Sequence, residues 1–134
     1  MSQPALRSTF IVLDPRQAAT PVPVTPGLYE ALDADFQGFA GCWLMAEHAF
    51  TADWPTWEMH PKGDEILYLL SGEATLHLYA DGVERELPFN TPGGCVIIPK
   101  GVWHTAKVRS ACTLLFITPG EGTRNVVDPR NPEA

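Results

Sequence analysis

The sequence predicts an all-β protein, a sandwich or a barrel. Short apolar and β-branched runs succeed one another at close spacing. Turn residues separate them, with 13 Pro and 11 Gly spread through 134 residues. Helical periodicity is confined to one stretch near the N-terminus.

Thr9 to Leu13 is a β-branched run and reads as a strand, at a sheet edge or as an arm pairing with a second subunit. Asp14 to Gly27 reads as loop, because Pro15, Pro21, Pro23 and Pro26 exclude regular helix and central strand. Leu28, Leu32 and Phe36 fall at helical spacing and predict a short helix over Leu28 to Phe36. From Gly41 the pattern turns to β. Strands are expected over Cys42 to Phe50, Thr56 to His60, Glu65 to Leu70 and Ala74 to Tyr79. Asp81-Gly82 is a two-residue hairpin signal, with Val83 to Leu87 as the return strand. Pro88 to Gly94 is loop, and Cys95 to Ile98, His104 to Val108 and Cys112 to Thr118 are the remaining strands. The expected organisation is one domain over 1–134, with a β core at about 40–118, an N-terminal arm over 1–39 and a loosely ordered tail over 119–134.

Bulk properties narrow the partners. Net charge is −7, and the three Lys (Lys62, Lys100, Lys107) form no cluster. Nucleic acid and anionic membrane surfaces are therefore not expected partners, since both need a basic patch. No apolar run approaches the length of a membrane span, and Met1 to Gln17 lacks the pattern of a signal peptide. Cys42, Cys95 and Cys112 are an odd number without C-x-x-C spacing. They read as reduced, buried small hydrophobes in a cytoplasmic protein.

The chemistry concentrates in Trp57 to Gly72, W-E-M-H-P-K-G-D-E-I-L-Y-L-L-S-G. Glu58 and His60 are two apart, so an extended strand points both to one face. Glu65 lies across the turn Pro61-Lys62-Gly63-Asp64, and a second strand can carry it back beside them. Carboxylate and imidazole groups converging in this way suit a divalent metal. A second stretch, Gly93 to His104, reads G-G-C-V-I-I-P-K-G-V-W-H.

Together the two stretches resemble the motifs of the cupin superfamily. The usual first motif is G-x(5)-H-x-H-x(3,4)-E-x(6)-G, against Glu58-x-His60-x(4)-Glu65-x(6)-Gly72 here. The usual second motif is G-x(5)-P-x-G-x(2)-H-x(3)-N, against Gly93-x(5)-Pro99-x-Gly101-x(2)-His104-x(3)-Val108. The resemblance implies a double-stranded β-helix, or jelly-roll barrel, with an internal pocket and usually a homodimer. It implies metal-ligand positions for Glu65 and His104, and the second His position for His60. Glu58 stands where the family usually has its first ligand His, and Val108 where it has Asn.

Two His and two carboxylates give a neutral site around a divalent ion. That set favours Mn, Fe or Zn, with Ni possible, over Cu(I). Alternatively His60, Glu65 and His104 form a 2-His-1-carboxylate set, and Glu58 orients a ligand or acts as a general base. The structural alternative is a metal-free barrel in which Glu58 and Glu65 pair with His60 and His104, although carboxylates crowded without a cation are costly.

Other residues have plainer readings. His48 and His77 are expected to be structural or surface histidines, with His48 the better placed to line a pocket. Trp43, Trp54, Trp57 and Trp103 are expected in the core or an interface, and Trp57 or Trp103 at the pocket mouth. Tyr68 should face away from Glu65, and Asp53 and Asp64 are turn residues. The strand Glu65 to Leu70 is apolar on both faces, which fits burial of its outer face in a dimer.

The function expected is a metal-dependent enzyme of oxygenase, isomerase, cyclase or decarboxylase type on a small metabolite, with Glu58 moving a proton. The alternative is a non-enzymatic small-molecule binding or sensing module with a structural metal or none. A storage or scaffold dimer fits least, because polar groups converge inside. Neither a helix-turn-helix nor a dinucleotide fingerprint accompanies the motifs.

Overall fold

The computed structural model describes residues 3–133. Eleven strands and one helix follow in the order β1 (Thr9–Leu13), β2 (Ala19–Pro23), α1 (Leu28–Asp35), β3 (Trp43–Phe50), β4 (Trp57–Met59), β5 (Glu65–Gly72), β6 (Ala74–Ala80), β7 (Val83–Phe89), β8 (Cys95–Ile98), β9 (Trp103–Lys107), β10 (Cys112–Pro119) and β11 (Arg124–Val126). They form two antiparallel sheets. One has the order β2-β1-β3-β10-β5-β8 and the other β11-β4-β9-β6-β7. This is the jelly-roll arrangement, in which strands close in sequence alternate between sheets.

Strand alternation builds the core. On β5, Glu65, Leu67 and Leu69 are buried, while Ile66 and Tyr68 between them are partly exposed. Leu67, Leu69, Leu76, Ile98, Leu114 and Phe116 belong to the main buried cluster. Each fully buried Leu or Ile side chain contributes roughly 1.5–3 kcal/mol of transfer free energy. A second cluster joins α1 to the sheet, with Leu28 and Leu32 packed among Phe10, Val12, Leu44 and Ala46.

Turn chemistry sets the register. Asp81 (φ 52°) and Gly82 (φ 77°) are both left-handed, as the tight β6–β7 hairpin requires. Gly72 (φ +77°) leads from β5 toward β6, where a Cβ would lie 2.1 Å from the Ala111 carbonyl oxygen. Only glycine fits there.

Three expectations change. Ala19–Pro23, read as loop, is an edge strand paired with β1 from Thr9↔Pro23 to Leu13↔Ala19. Proline is tolerated on an edge, where its missing N–H leaves no ladder bond unmade. In consequence β1 is not an edge strand or a free arm; it lies between β2 and β3. The expected loose tail over 119–134 contains β11, which pairs with β4 from Arg124↔Met59 to Val126↔Trp57. Farther on, Arg130 sits 4.9 Å over the Tyr79 ring and pairs with Glu84, fastening the tail to the β6–β7 hairpin.

The outer face of the six-stranded sheet carries an apolar row. Cross-strand partners form one row from Pro21 through Ile11, Met45, Ile117 and Ile66 to Ile97. Ile97 is 61% exposed and Met45 37%.

Candidate metal centre

The two sheets bring four polar side chains together inside the barrel. Glu58 on β4 is paired directly with His104 on β9. His60 follows β4 immediately, and its carbonyl accepts the Gly101 amide at 3.0 Å. That bond ties the loop after β4 to the Pro99-x-Gly101 turn that starts β9. Asp64 closes the same corner by accepting the Lys100 amide at 2.8 Å. Glu65 arrives from the opposite sheet at the start of β5.

His60, Glu65 and His104 are buried, with side chains 3%, 1% and 0% exposed, while Glu58 is 31% exposed. His104 Nε2 lies 2.9 Å from Glu65 Oε1 and 3.8 Å from Glu58 Oε1. His60 Nε2 lies 3.2 Å from both Glu58 Oε1 and Glu65 Oε2. One ligand atom from each residue falls within 4.8 Å of the other three.

The surrounding hydrogen bonds fix which atoms face inward. His104 Nδ1 contacts the Val102 carbonyl at 3.2 Å, which only accepts, so this nitrogen carries a proton. Thr123 donates its hydroxyl proton to the Gly120 carbonyl at 2.9 Å. Its oxygen is then left to accept from His60 Nδ1 at 2.8 Å. Both Nε2 atoms therefore turn inward, each with a lone pair in the neutral ring. Thr118 donates to Glu65 Oε2 at 2.6 Å. His60 Nε2, His104 Nε2 and Glu65 Oε1 are buried without a well-formed hydrogen bond, despite their close approach. Acceptors facing acceptors need a shared cation or added protons. Ligand atoms 2.9–3.8 Å apart can surround a divalent ion with ligand distances of about 2.0–2.2 Å. The residues thus fit a metal ion.

Protons are what the site holds otherwise. Burial pushes the His60 imidazole down, but the Glu58 and Glu65 carboxylates outweigh it and hold His60 at about 9. Burial pushes Glu65 up, and the His104 and His60 imidazoles outweigh that, holding it at about 2.

Residues 47–118 match the cupin domain, more than half of the chain. The chain belongs to the cupin family. No curated protein matches the sequence. Among solved structures, a cupin protein from Bacteroides fragilis is 19% identical with a TM-score of 0.50, over 60% of this chain and 67% of that one. An oxalate oxidase is 18% identical with a TM-score of 0.51, over 60% of this chain and 44% of that one. Hydroxypropylphosphonic acid epoxidase from S. wedmorenis is 16% identical with a TM-score of 0.49, over 57% of this chain and 43% of that one. This cupin thus spans less than half of the two enzymes it is compared with. At these identities the likeness is one of fold.

A cavity of about 750 Å³ opens beside Glu58, His60 and Glu65, with His104 buried behind them. Its wall includes Trp54, Phe50 and Phe116, with Tyr29 and Asp33 from α1 and Thr123 and Asn125 from the tail. His48 also lines it and packs edge-on to Phe10 and Phe116, outside the four-residue group. Burial lowers its pKa, with Glu58 opposing that shift. His77 lies on β6 beside Glu84, at 3.2 Å, and does not line the cavity.

The expectation that Trp57 or Trp103 walls the mouth is corrected. Neither lines the cavity; Trp103 is buried under the Arg124 guanidinium, and Trp54 is the cavity tryptophan. The sequence carried no signal for Thr118 or Thr123, whose bonds to the site span 53 and 63 residues. Asp53, expected as a turn residue, lies in the loop between β3 and β4 and accepts the Val108 amide from across the sheet at 2.8 Å. Val108, at the family's Asn position, is core.

Proposed function

We propose that Glu58, His60, Glu65 and His104 hold one divalent metal ion, Mn, Fe, Zn or Ni, and that the cavity beside it makes this cupin a metal-dependent enzyme on a small molecule. The observation that carries the reading is the set of inward-facing acceptor atoms, each oriented by a neighbour on its other side. When bound, the metal would supply Lewis-acid or oxygen-binding chemistry of oxygenase, isomerase, cyclase or decarboxylase type.

Within this reading the two carboxylates divide their tasks. Glu65 is fully buried and clamped by Thr118, which suits a fixed ligand. Glu58 is partly exposed to the cavity, and among the described residues no outside donor holds its carboxylate. It is the group placed to accept or deliver a proton at a bound molecule. Phe50, Trp54 and Phe116 present apolar surface to that side of the cavity.

The deciding experiment is metal analysis of protein prepared without chelator or affinity metal. Near-stoichiometric metal, lost in His60→Ala and His104→Ala, is the expected result. Substoichiometric metal, with no thermal stabilisation on adding Mn, Fe, Zn or Ni, would sink the reading. Glu58→Gln then separates roles: metal retained with activity lost marks a base, and metal lost marks a ligand.

The assembly belongs to the same proposal. A homodimer would cover the apolar row from Ile11 to Ile97. The three free cysteines support a reducing, cytoplasmic setting. No helix among the described residues is long and apolar enough to cross a membrane.

A further inference from the structure

We infer that the cavity selects small aromatic molecules that carry no negative charge, and prefers a cationic head group to an anionic one. The inference rests on the metal-site reading above and adds the ligand class. Its first support is the charge of the site itself. Three His and one carboxylate around a divalent ion would leave one positive charge to attract an anion. Glu58 in the first position removes that charge, because two carboxylates neutralise the ion.

The second support is the wall. Among the described residues, no Lys or Arg lines the cavity, whereas Asp33, Asp53, Glu58 and Glu65 all do. Asp53 has Lys107 at 3.9 Å outside the wall, but Asp33 has no ion pair among the described residues. An anionic ligand would find no Lys or Arg in the wall and would face the Asp33 carboxylate, the one lining carboxylate that neither the ion nor a basic side chain neutralises. A cation finds the Asp33 carboxylate and aromatic side chains.

The third support is shape and polarity. The volume of about 750 Å³ is ample for a ring-containing molecule. Trp54, Phe50 and Phe116 pack against one another with ring centroids 5.3–6.1 Å apart and planes inclined by 37–75°, a wall that offers aromatic, apolar contact. Trp54 also stands edge-on to His104 at 6.3 Å, so a ring held against this wall lies next to the four-residue group.

The test uses three probes of nearly equal shape: benzylamine, benzyl alcohol and benzoate. Their binding to metal-loaded full-length protein is followed by ligand-observed NMR and by tryptophan fluorescence. Metal content is measured first, so that a protein without metal fails the earlier reading rather than this one. Benzylamine is expected to bind at least about tenfold more tightly than benzoate, with benzyl alcohol between them. Asp33→Asn should narrow that ratio, and Glu58→His, which returns a positive charge to the site, should move it toward benzoate. Benzoate binding as tightly as benzyl alcohol in the metal-loaded protein would overturn the inference. So would the absence of binding by all three at millimolar concentration.

Discussion

His60 shows how one residue joins sequence, electrostatics and function. Its Nδ1 is spoken for by Thr123, so its Nε2 must face Glu58 and Glu65. Removing that orienting bond should loosen the ring. Thr123→Val is expected to weaken metal binding by about 10–100-fold without unfolding the protein, as read by metal titration with a competing chelator. The raised His60 pKa adds a pH dependence. A group raised in the folded state stabilises it fully below its ordinary value of 6.5 and loses that contribution as pH rises through about 9. Glu65, held low, contributes above 4.5 and is lost only as pH falls through about 2. Metal-free protein should therefore melt at lower temperature as pH climbs from about 6.5 past about 9, and His60→Gln should flatten that fall. Over the same range metal affinity should rise, because the ion displaces the His60 proton.

At the scale of elements, two connections hold the site. The β5–β6 corner depends on Gly72, whose missing side chain makes room for the Ala111 carbonyl. Gly72→Ala combines a steric clash with a left-handed backbone. It is expected to destabilise by about 2 kcal/mol or more in denaturant unfolding. The second connection is the C-terminal segment. β11 lies against β4 and follows directly on Thr123, so the strand bearing Glu58 is braced by residues far along the chain. A chain ending at Gly122 should keep the main core but lose metal affinity at least as much as Thr123→Val. Circular dichroism and metal titration would check both halves of that expectation.

For the whole molecule the apolar outer sheet face carries the prediction. An apolar row spanning six strands, with Ile97 and Met45 exposed and Ile11, Ile117 and Ile66 half-buried, is unusual on a protein that stays alone in solution. The protein is expected to be a dimer by light scattering after size exclusion, and Ile97→Lys should make it monomeric. Ile97 is 61% exposed, so this change should spare the fold. A monomeric wild-type mass would remove the proposal.

By itself the sequence determined the β class, most strand positions and the four polar residues that meet. Those features are local: alternation, turn residues such as Asp81-Gly82, and the spacing of Glu58, His60, Glu65, Pro99, Gly101 and His104. It misread Ala19–Pro23 as loop, because edge pairing with β1 tolerates prolines that a central strand would reject. It also left the tail loose and placed the wrong tryptophan at the cavity. Only the tertiary structure decided those points. Thr118, Thr123, Trp54 and Asp33 reach the site across 40 or more residues or from another element, and no periodicity records such contacts. Which imidazole nitrogens turn inward, and that Glu58 alone of the four stays partly exposed, follow from packing between two sheets.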